Sequence, residues 1–165
     1  MNKSLLLPLF LLLIRVYVGW QWLSAGFEKI TSSAWVGDKA GSAVGGFLMG
    51  ALAKTGGEHP SVAWWYAEFV KNFALPNKVI FSYLVSFGET AVGLGLILGA
   101  LTPFAAFFGA FMNFNYLFAG TISTNPVLLL LELIIMKFWK DSGVLGLDRF
   151  IMPKLLKNFK IKWLK

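Results

Sequence analysis

Residues Arg15 to Lys29, RVYVGWQWLSAGFEK, carry a positive charge inside a segment that is otherwise apolar enough to cross a membrane. Residues 5–14 before it are almost wholly aliphatic, and apolar character resumes after Arg15 as far as Phe27. Since a transmembrane helix needs ~20 residues, Arg15 is expected near the middle of the hydrocarbon. A charge there costs roughly 2.5 to 3.5 kcal/mol on insertion scales, so Arg15 should face protein or a wet cavity and have a partner.

One face of this predicted helix is unsuited to lipid. Residues that recur at steps of four and three share a helix face. The members of this stripe are Arg15, Gly19, Trp22, Gly26 and Lys29. The stripe combines charge, small residues and an indole, and it therefore predicts a face that packs against other helices.

The composition indicates an integral membrane protein with a single membrane domain over residues 1–165. The mean hydropathy is +0.68, and 57% of the 165 residues are hydrophobic, which is too apolar for a soluble domain of this length. The chain has no cysteine, which excludes disulfides, thiol nucleophiles and thiolate metal or iron–sulfur sites. The only histidine, His59, lies in a glycine-rich connector, and no metal site is predicted.

The net charge of +7 is concentrated at the C-terminal end. Eight Lys/Arg residues and two Asp residues lie from Lys137 onward, so this segment carries +6. A cationic block directly after a hydrophobic segment marks a cytoplasmic side and binds anionic lipid headgroups. Membrane lipid is therefore the expected partner of this block, and nucleic acid is not.

The hydropathy pattern predicts an all-α integral membrane protein, a four-transmembrane-helix bundle. Between helices 1 and 2 we expect an extracytoplasmic amphipathic or re-entrant helical cap, because its apolar segments, 41–53 and 62–75, are too short to span. Four spans place both termini on the cytoplasmic side of a multi-pass cell-membrane protein. The predicted spans are 5–27, 79–101, 104–118 and 126–139, the cap is 31–78 and the basic cytoplasmic tail is 140–165.

Counting depth along the spans brings polar residues together. At ~1.5 Å per residue, Arg15 lies about 15 Å above the inner surface and Glu89 about 15 Å below the outer one. In a core ~30 Å thick the two levels coincide, with Asn113 close to them. The prediction is a buried Arg15–Glu89 pair that Asn113 completes. The alternative is that the pair only fixes helix register.

Glu132 in the fourth span is left over by this pairing. To avoid an unpaired negative charge in the membrane, Glu132 must be protonated or reach Lys29 at the outer end of span one. A carboxyl that holds and releases a proton near a hydrophobic mouth suits quinone chemistry, in which each two-electron reduction consumes two protons. The alternative is a neutral glutamic acid that hydrogen-bonds a neighbouring helix.

Tryptophans supply a second kind of candidate. These and one tyrosine could stack on a flat lipophilic ring, although aromatic side chains also anchor proteins at the membrane interface. The residues are Trp20, Trp22, Trp35, Trp64, Trp65 and Tyr66. With these, Glu132 and Glu89 are the candidate catalytic residues. The candidate quinone-binding residues are Arg15, Trp22, Lys29, Asn113, Trp64 and Trp65.

At these residues the sequence resembles the DoxX family of small four-span membrane proteins, which includes the DoxD-like subunit of thiosulfate:quinone oxidoreductase. The resemblance lies in four residues of the stripe on span one, in ETAVGLG at 89–95 followed by Gly99 on span two, and in the Gly-Leu-Asp-Arg turn at 146–149. The four residues on span one are Arg15, Gly19, Gly26 and Lys29. It covers roughly the four spans, and the insertion 31–78 is similar to that of longer members.

The resemblance implies a bacterial or archaeal plasma-membrane protein that works with quinone and a partner redox subunit. In the named case electrons pass from thiosulfate to quinone, and tetrathionate forms. An outward cationic site for the thiosulfate dianion could use Lys29, Lys39, Lys71 or Lys78. Two other readings remain open: a non-catalytic scaffold that anchors a soluble redox or stress-response enzyme through residues 154–165, and a small-solute carrier, which would need a homo-oligomer.

Overall fold

The computed structural model describes residues 3–158, and within that range every regular element is helical. The C-terminal part of the predicted basic tail, residues 159–165, lies outside the described residues. The helices are α1 (Lys3–Ile30), α2 (Ser42–Leu52), α3 (Trp64–Phe69), α4 (Lys78–Leu98), α5 (Thr102–Phe118), α6 (Asn125–Lys137), α7 (Trp139–Val144) and α8 (Asp148–Asn158).

Among the described residues, two helices are long and apolar enough to cross a membrane. They are the segments Leu5–Ile30 of α1 and Lys78–Leu98, which is α4. At 17 residues α5 is shorter, and α6 has 13 residues before a break at Phe138 leads into α7. A 13-residue helix is about 20 Å long, less than the ~30 Å of the hydrocarbon core.

The helices α1 and α4 run antiparallel in close contact, and small residues set their register. A Cβ at Gly26 would lie 2.5 Å from the Thr90 amide nitrogen, and one at Gly93 would overlap the Leu23 backbone. Such positions let two helix backbones approach closely in a membrane, where packing replaces the hydrophobic effect as the driving force. Gly26 is therefore level with Thr90, and Gly93 with Leu23.

This register separates two residues that the sequence analysis placed side by side. Since Gly26 is level with Thr90, the Glu89 level on α1 lies about 17 Å from Arg15 along the helix axis. The Arg15 guanidinium lies instead against Gly99, just past the C-terminal end of α4. The predicted Arg15–Glu89 pair is wrong, because the segment of α1 before Arg15 extends beyond the end of α4, where α7 packs against it.

The helices α5 and α6 pack against each other and complete the main core with α1 and α4. The core is built from aliphatic side chains and alanines, with one buried indole from α1. Its buried members are Val18, Trp22, Val92, Leu96, Ala105, Ala106, Leu128 and Ile135. The opposite faces of these helices expose leucine and phenylalanine, which is the surface expected of helices in lipid.

Residues 31–78 form a separate small core at the end of the molecule where α4 begins and α5 ends. Here α2, α3 and a π-helical turn at Val70–Ala74 pack around Tyr66. Two side-chain hydrogen bonds connect this segment to the C-terminal end of α5. The Tyr66 hydroxyl donates to the Asn115 carbonyl (3.0 Å), and the Lys54 ammonium donates to the Gly120 carbonyl (2.8 Å). We call residues 31–78 the cap.

Candidate functional site

Six polar or aromatic side chains meet between the four longer helices, near their cap end. We call this group the carboxylate centre. Its members are Trp22 and Lys29 on α1, Glu89 on α4, Asn113 and Tyr116 on α5, and Glu132 on α6. Because each of these helices contributes at least one member, the centre depends on the packing of all of them.

Glu89 has a cation and a phenol as partners. The Lys29 ammonium lies 2.7 Å from Glu89 Oε2, and the Tyr116 hydroxyl donates to Oε1 at 2.5 Å. Lys29 also lies 5.0 Å from the centroid of the Trp35 ring in the cap. Glu89 is 2% exposed and Lys29 is 19% exposed, so the pair lies at the edge of the core. The charge of Glu89 is therefore balanced locally.

Glu132 has only neutral partners. The Trp22 indole N–H donates to Oε1 (2.6 Å), and the Asn113 amide donates to Oε2 (2.7 Å). Glu132 is fully buried, and in the described part of the chain no Lys, Arg or His side chain lies within 4.0 Å of it. Of the two alternatives expected for Glu132, the contact with Lys29 does not form, since Lys29 pairs with Glu89.

A glycine makes room for this carboxyl group. A Cβ at Gly109 would lie 2.5 Å from Glu132 Oε1 and 3.1 Å from the Trp22 indole nitrogen. Gly109 is one turn before Asn113 on α5, so the same helix face supplies both the space and one of the hydrogen bonds.

Tyr116 and Trp22 connect the two halves of the centre. Their rings stack with centroids 6.4 Å apart and an interplanar angle of 26°. Phe47 of α2 meets Tyr116 edge-on at 5.9 Å, so the cap is in direct contact with the centre. The two carboxyl groups are thus joined through one aromatic pair.

Asn113 leaves one polar atom without a partner. Its Oδ1 is buried and accepts no hydrogen bond from the described residues, while its Nδ2 donates to Glu132. Buried polar atoms without partners are rare, and one at a candidate site needs an explanation.

Arg15 belongs to a different cluster, at the opposite end of the bundle. Its guanidinium donates to the carbonyl oxygens of Ser142 and Leu145, the latter at 3.0 Å, at the C-terminal end of α7. Cations stabilise helix C-termini because the last carbonyls are free and carry partial negative charge. The structure therefore gives Arg15 a helix-capping environment and places it outside the carboxylate centre.

The Gly-Leu-Asp-Arg turn completes this second cluster. Asp148 accepts hydrogen bonds from the Leu101 and Thr102 amides at 2.6 and 2.8 Å, and its own amide donates to the Gly99 carbonyl at 2.7 Å. An acidic group that accepts the first free N–H groups of a helix acts as its N-terminal cap. Asp148 thus caps α5 from a distant part of the chain.

The two tryptophans predicted in the cap lie on its surface. Trp64 is 79% exposed and Trp65 is 46% exposed. Trp65 packs edge-on against Tyr66 and Phe118, with centroids 5.6 and 5.1 Å apart. These contacts join Trp65 to the core of the cap and to the end of α5. Neither Trp64 nor Trp65 belongs to the carboxylate centre.

The sequence analysis missed Tyr116. The signal available was its position three residues after Asn113, which places both on one face of α5. The many phenylalanines of that helix made another aromatic residue there look like part of the apolar surface. Among the predicted site residues, the structure brings together Trp22, Lys29, Glu89, Asn113 and Glu132.

Over the described residues, the fold and the centre define the class as an all-helical protein with two helices long and apolar enough to cross a membrane and two buried carboxyl groups in its core. The profile of the family described as "TQO small subunit DoxD" matches residues 10–165. The chain therefore belongs to the DoxD family of membrane proteins, as its resemblance implied. In comparisons with curated proteins and with solved structures, no protein matches it.

Proposed function

We propose that the protein is the small membrane subunit of an oxidoreductase of the thiosulfate:quinone type, and that the carboxylate centre is where it meets quinone. Family membership supports the reaction class. The observation that carries the site assignment is Glu132, a fully buried carboxyl group held by two neutral donors. Ionisable residues inside membrane proteins are functional candidates by default.

The chemistry requires both protons and electrons. Two thiosulfate ions give up two electrons and join as tetrathionate, and the quinone takes up those electrons with two protons to become quinol. The chain has no cysteine and only one histidine, and the electrons reach quinone either from thiosulfate directly or through a partner subunit.

We assign the proton-carrying role to Glu132. With neutral partners alone, its carboxyl group is stable in the protonated form in this buried site, whereas an isolated buried carboxylate is costly. It releases a proton from one Oε atom and regains it, twice in each turnover. The indole of Trp22 and the amide of Asn113 keep the carboxyl group in one orientation.

Glu89 then has a positioning role. Lys29 lies against one of its oxygens, and the other oxygen orients the Tyr116 hydroxyl by accepting its hydrogen bond. This arrangement also occupies Lys29. An anionic sulfur substrate that approaches from the cap side would therefore meet the exposed lysines of that region, Lys39, Lys71 and Lys78.

We further propose that α1, α4, α5 and the α6–α7 pair cross the membrane as a four-helix bundle. The cap then faces outward and both termini lie in the cytoplasm, as the cationic segment from Lys137 onward favours. The absence of cysteine from the sequence makes this easy to test. In intact cells a membrane-impermeant maleimide should label Lys39→Cys in the cap, and should label Lys154→Cys in α8 only after lysis.

The functional test is mass spectrometry of lipophilic ligands that co-purify with the gently extracted protein. Wild type should retain quinone and Glu132→Gln should lose most of it, while the exposed control Glu28→Gln should behave as wild type. Retained quinone would justify an assay of thiosulfate-dependent quinone reduction. Absence of quinone from folded wild type would overturn the proposal and direct attention to a scaffold role of the basic tail.

A further inference from the structure

The donors of the carboxylate centre are largely used within the centre. The Trp22 N–H donates to Glu132 and the Tyr116 O–H donates to Glu89. Lys29 contacts Glu89 and also donates to a carbonyl of its own helix. The donors that remain are the second amide hydrogen of Asn113, the third ammonium hydrogen of Lys29 and, while Glu132 is protonated, its own O–H.

The acceptors are in excess. Glu132 accepts one hydrogen bond at each oxygen. Once it has released its proton it is a carboxylate with about four lone-pair sites, so half of its acceptor capacity is unused. Beside it, the fully buried Asn113 Oδ1 accepts none from the described residues. A ligand that brings a hydrogen-bond donor would satisfy this oxygen, whereas a ligand that brings only acceptors would leave it unpaired.

We propose that the centre recognises the reduced form of its substrate, through a hydrogen bond from a quinol hydroxyl to Asn113 Oδ1. This inference rests on the proposed function and adds to it which redox form the site prefers. A quinol has two O–H donors, while the oxidised quinone presents only carbonyl acceptors. Asn113 Oδ1 can therefore accept a hydrogen bond from the quinol and not from the quinone.

The preference has a consequence for electron transfer. A site that binds quinol more tightly than quinone raises the midpoint potential of the bound couple. For a two-electron couple, a tenfold preference corresponds to about 30 mV. The bound quinone is then a better oxidant than the quinone free in the membrane, which favours electron uptake from a weak reductant.

The test uses two probes that do not undergo quinone chemistry. 2-Naphthol carries a phenolic donor, and 2-methoxynaphthalene has the same ring system without one. Binding is measured by equilibrium dialysis of the full chain in nanodiscs against empty nanodiscs, which corrects for partitioning into lipid. Wild type should bind 2-naphthol about three- to tenfold more tightly, as expected for one hydrogen bond to an unpaired buried acceptor.

Two variants separate the acceptor from the rest of the centre. Asn113→Val removes Oδ1 and should abolish the preference for 2-naphthol. Trp22→Phe removes a donor to Glu132 but leaves Oδ1 in place, and the preference should persist. If Asn113→Val is not monodisperse by size exclusion, Asn113→Ala takes its place, and the ratio of the two affinities remains the quantity compared.

The outcomes distinguish this inference from the function on which it rests. Equal affinity for the two probes in wild type, or a preference that survives in Asn113→Val, overturns the quinol preference even where quinone co-purifies. No binding of either probe, together with no co-purified quinone, overturns both proposals. A preference that Asn113→Val abolishes and Trp22→Phe retains supports the assignment.

Discussion

The ring of Tyr116 stacks on the indole of Trp22, with centroids 6.4 Å apart, and each ring donates its polar hydrogen to a different buried carboxyl group. The aromatic pair therefore links the ion-paired Glu89 to Glu132, which has no cation. The two carboxyl groups differ in their partners, and this difference is what assigns them different roles.

Replacing Tyr116 by Phe should keep the stack and remove only the hydrogen bond to Glu89. A hydrogen bond to a charged group contributes about 1.5–3 kcal/mol to stability, so the free energy of unfolding of the variant should be lower by an amount in that range. The measurement is the thermal midpoint of the protein in detergent. Tyr83→Phe is the matched control, because Tyr83 is exposed on α4. Equal midpoints for Tyr116→Phe and wild type would contradict the hydrogen bond.

Replacing Lys29 by Met should destabilise the protein through Glu89, which would be left as a buried charge without a cation. Breaking a buried pair by removing one partner costs about 3 kcal/mol or more. The double variant Lys29→Met/Glu89→Gln removes both charges and should recover most of the loss, which a double-mutant cycle measures. Lys39→Met, at an exposed position in the cap, is the control. Additive losses in the double variant would show that the two side chains do not interact.

The sequence identified the buried face of α1 but not what each residue on it contacts. The helical stripe predicted a protein-facing surface, and in the structure Arg15 and Trp22 are 1% and 3% exposed. Their partners depend on the offset between α1 and α4, which the close contacts at Gly26 and Gly93 set. Hydropathy reports where apolar segments lie and not how far one helix is displaced along another. The depth count therefore paired Arg15 with Glu89, whereas its guanidinium donates to backbone carbonyls near the end of α7.

The capping role of Asp148 was beyond sequence reasoning for a similar reason. The Gly-Leu-Asp-Arg turn was recognisable as a motif, but Asp148 caps a helix that begins 46 residues earlier in the chain, at Thr102. Local cap signals act within a few residues. Only the folded chain brings this turn to the start of α5.

Replacing Gly93 by Ala should weaken the packing of α1 on α4, because a Cβ there would overlap the Leu23 backbone. Overpacking typically costs about 1–3 kcal/mol. Gly46→Ala is the control on α2, since a Cβ at Gly46 meets nothing within 4 Å. That substitution should be neutral or stabilising by about 0.5–1 kcal/mol, because alanine favours a helix over glycine. The thermal midpoint should fall for Gly93→Ala and should stay unchanged or rise for Gly46→Ala, and equal losses would contradict the close contact.

Replacing Asp148 by Ala should loosen the start of α5. The side chain accepts hydrogen bonds from the Leu101 and Thr102 amides, and loss of a helix cap costs about 0.5–2 kcal/mol. Hydrogen exchange measured by mass spectrometry should show faster exchange in peptides that cover residues 101–105. Asp38→Ala, at an exposed position in the cap, should leave these peptides unchanged. Unchanged exchange in Asp148→Ala would show that the Asp148 side chain does not stabilise the first turn of α5.

Alkaline pH should weaken the attachment of the cap to α5 through Tyr66. Burial raises the pKa of Tyr66 from 10.0 to about 12, and its hydroxyl donates to the Asn115 carbonyl. Because the pKa is higher in the folded state, the stabilisation is complete below pH ~10 and is lost as the pH rises through about 12. The thermal midpoint of wild type should therefore fall more steeply over this range than that of Tyr66→Phe. Parallel pH profiles for the two proteins would show that the Tyr66 hydroxyl does not contribute to holding the cap in place.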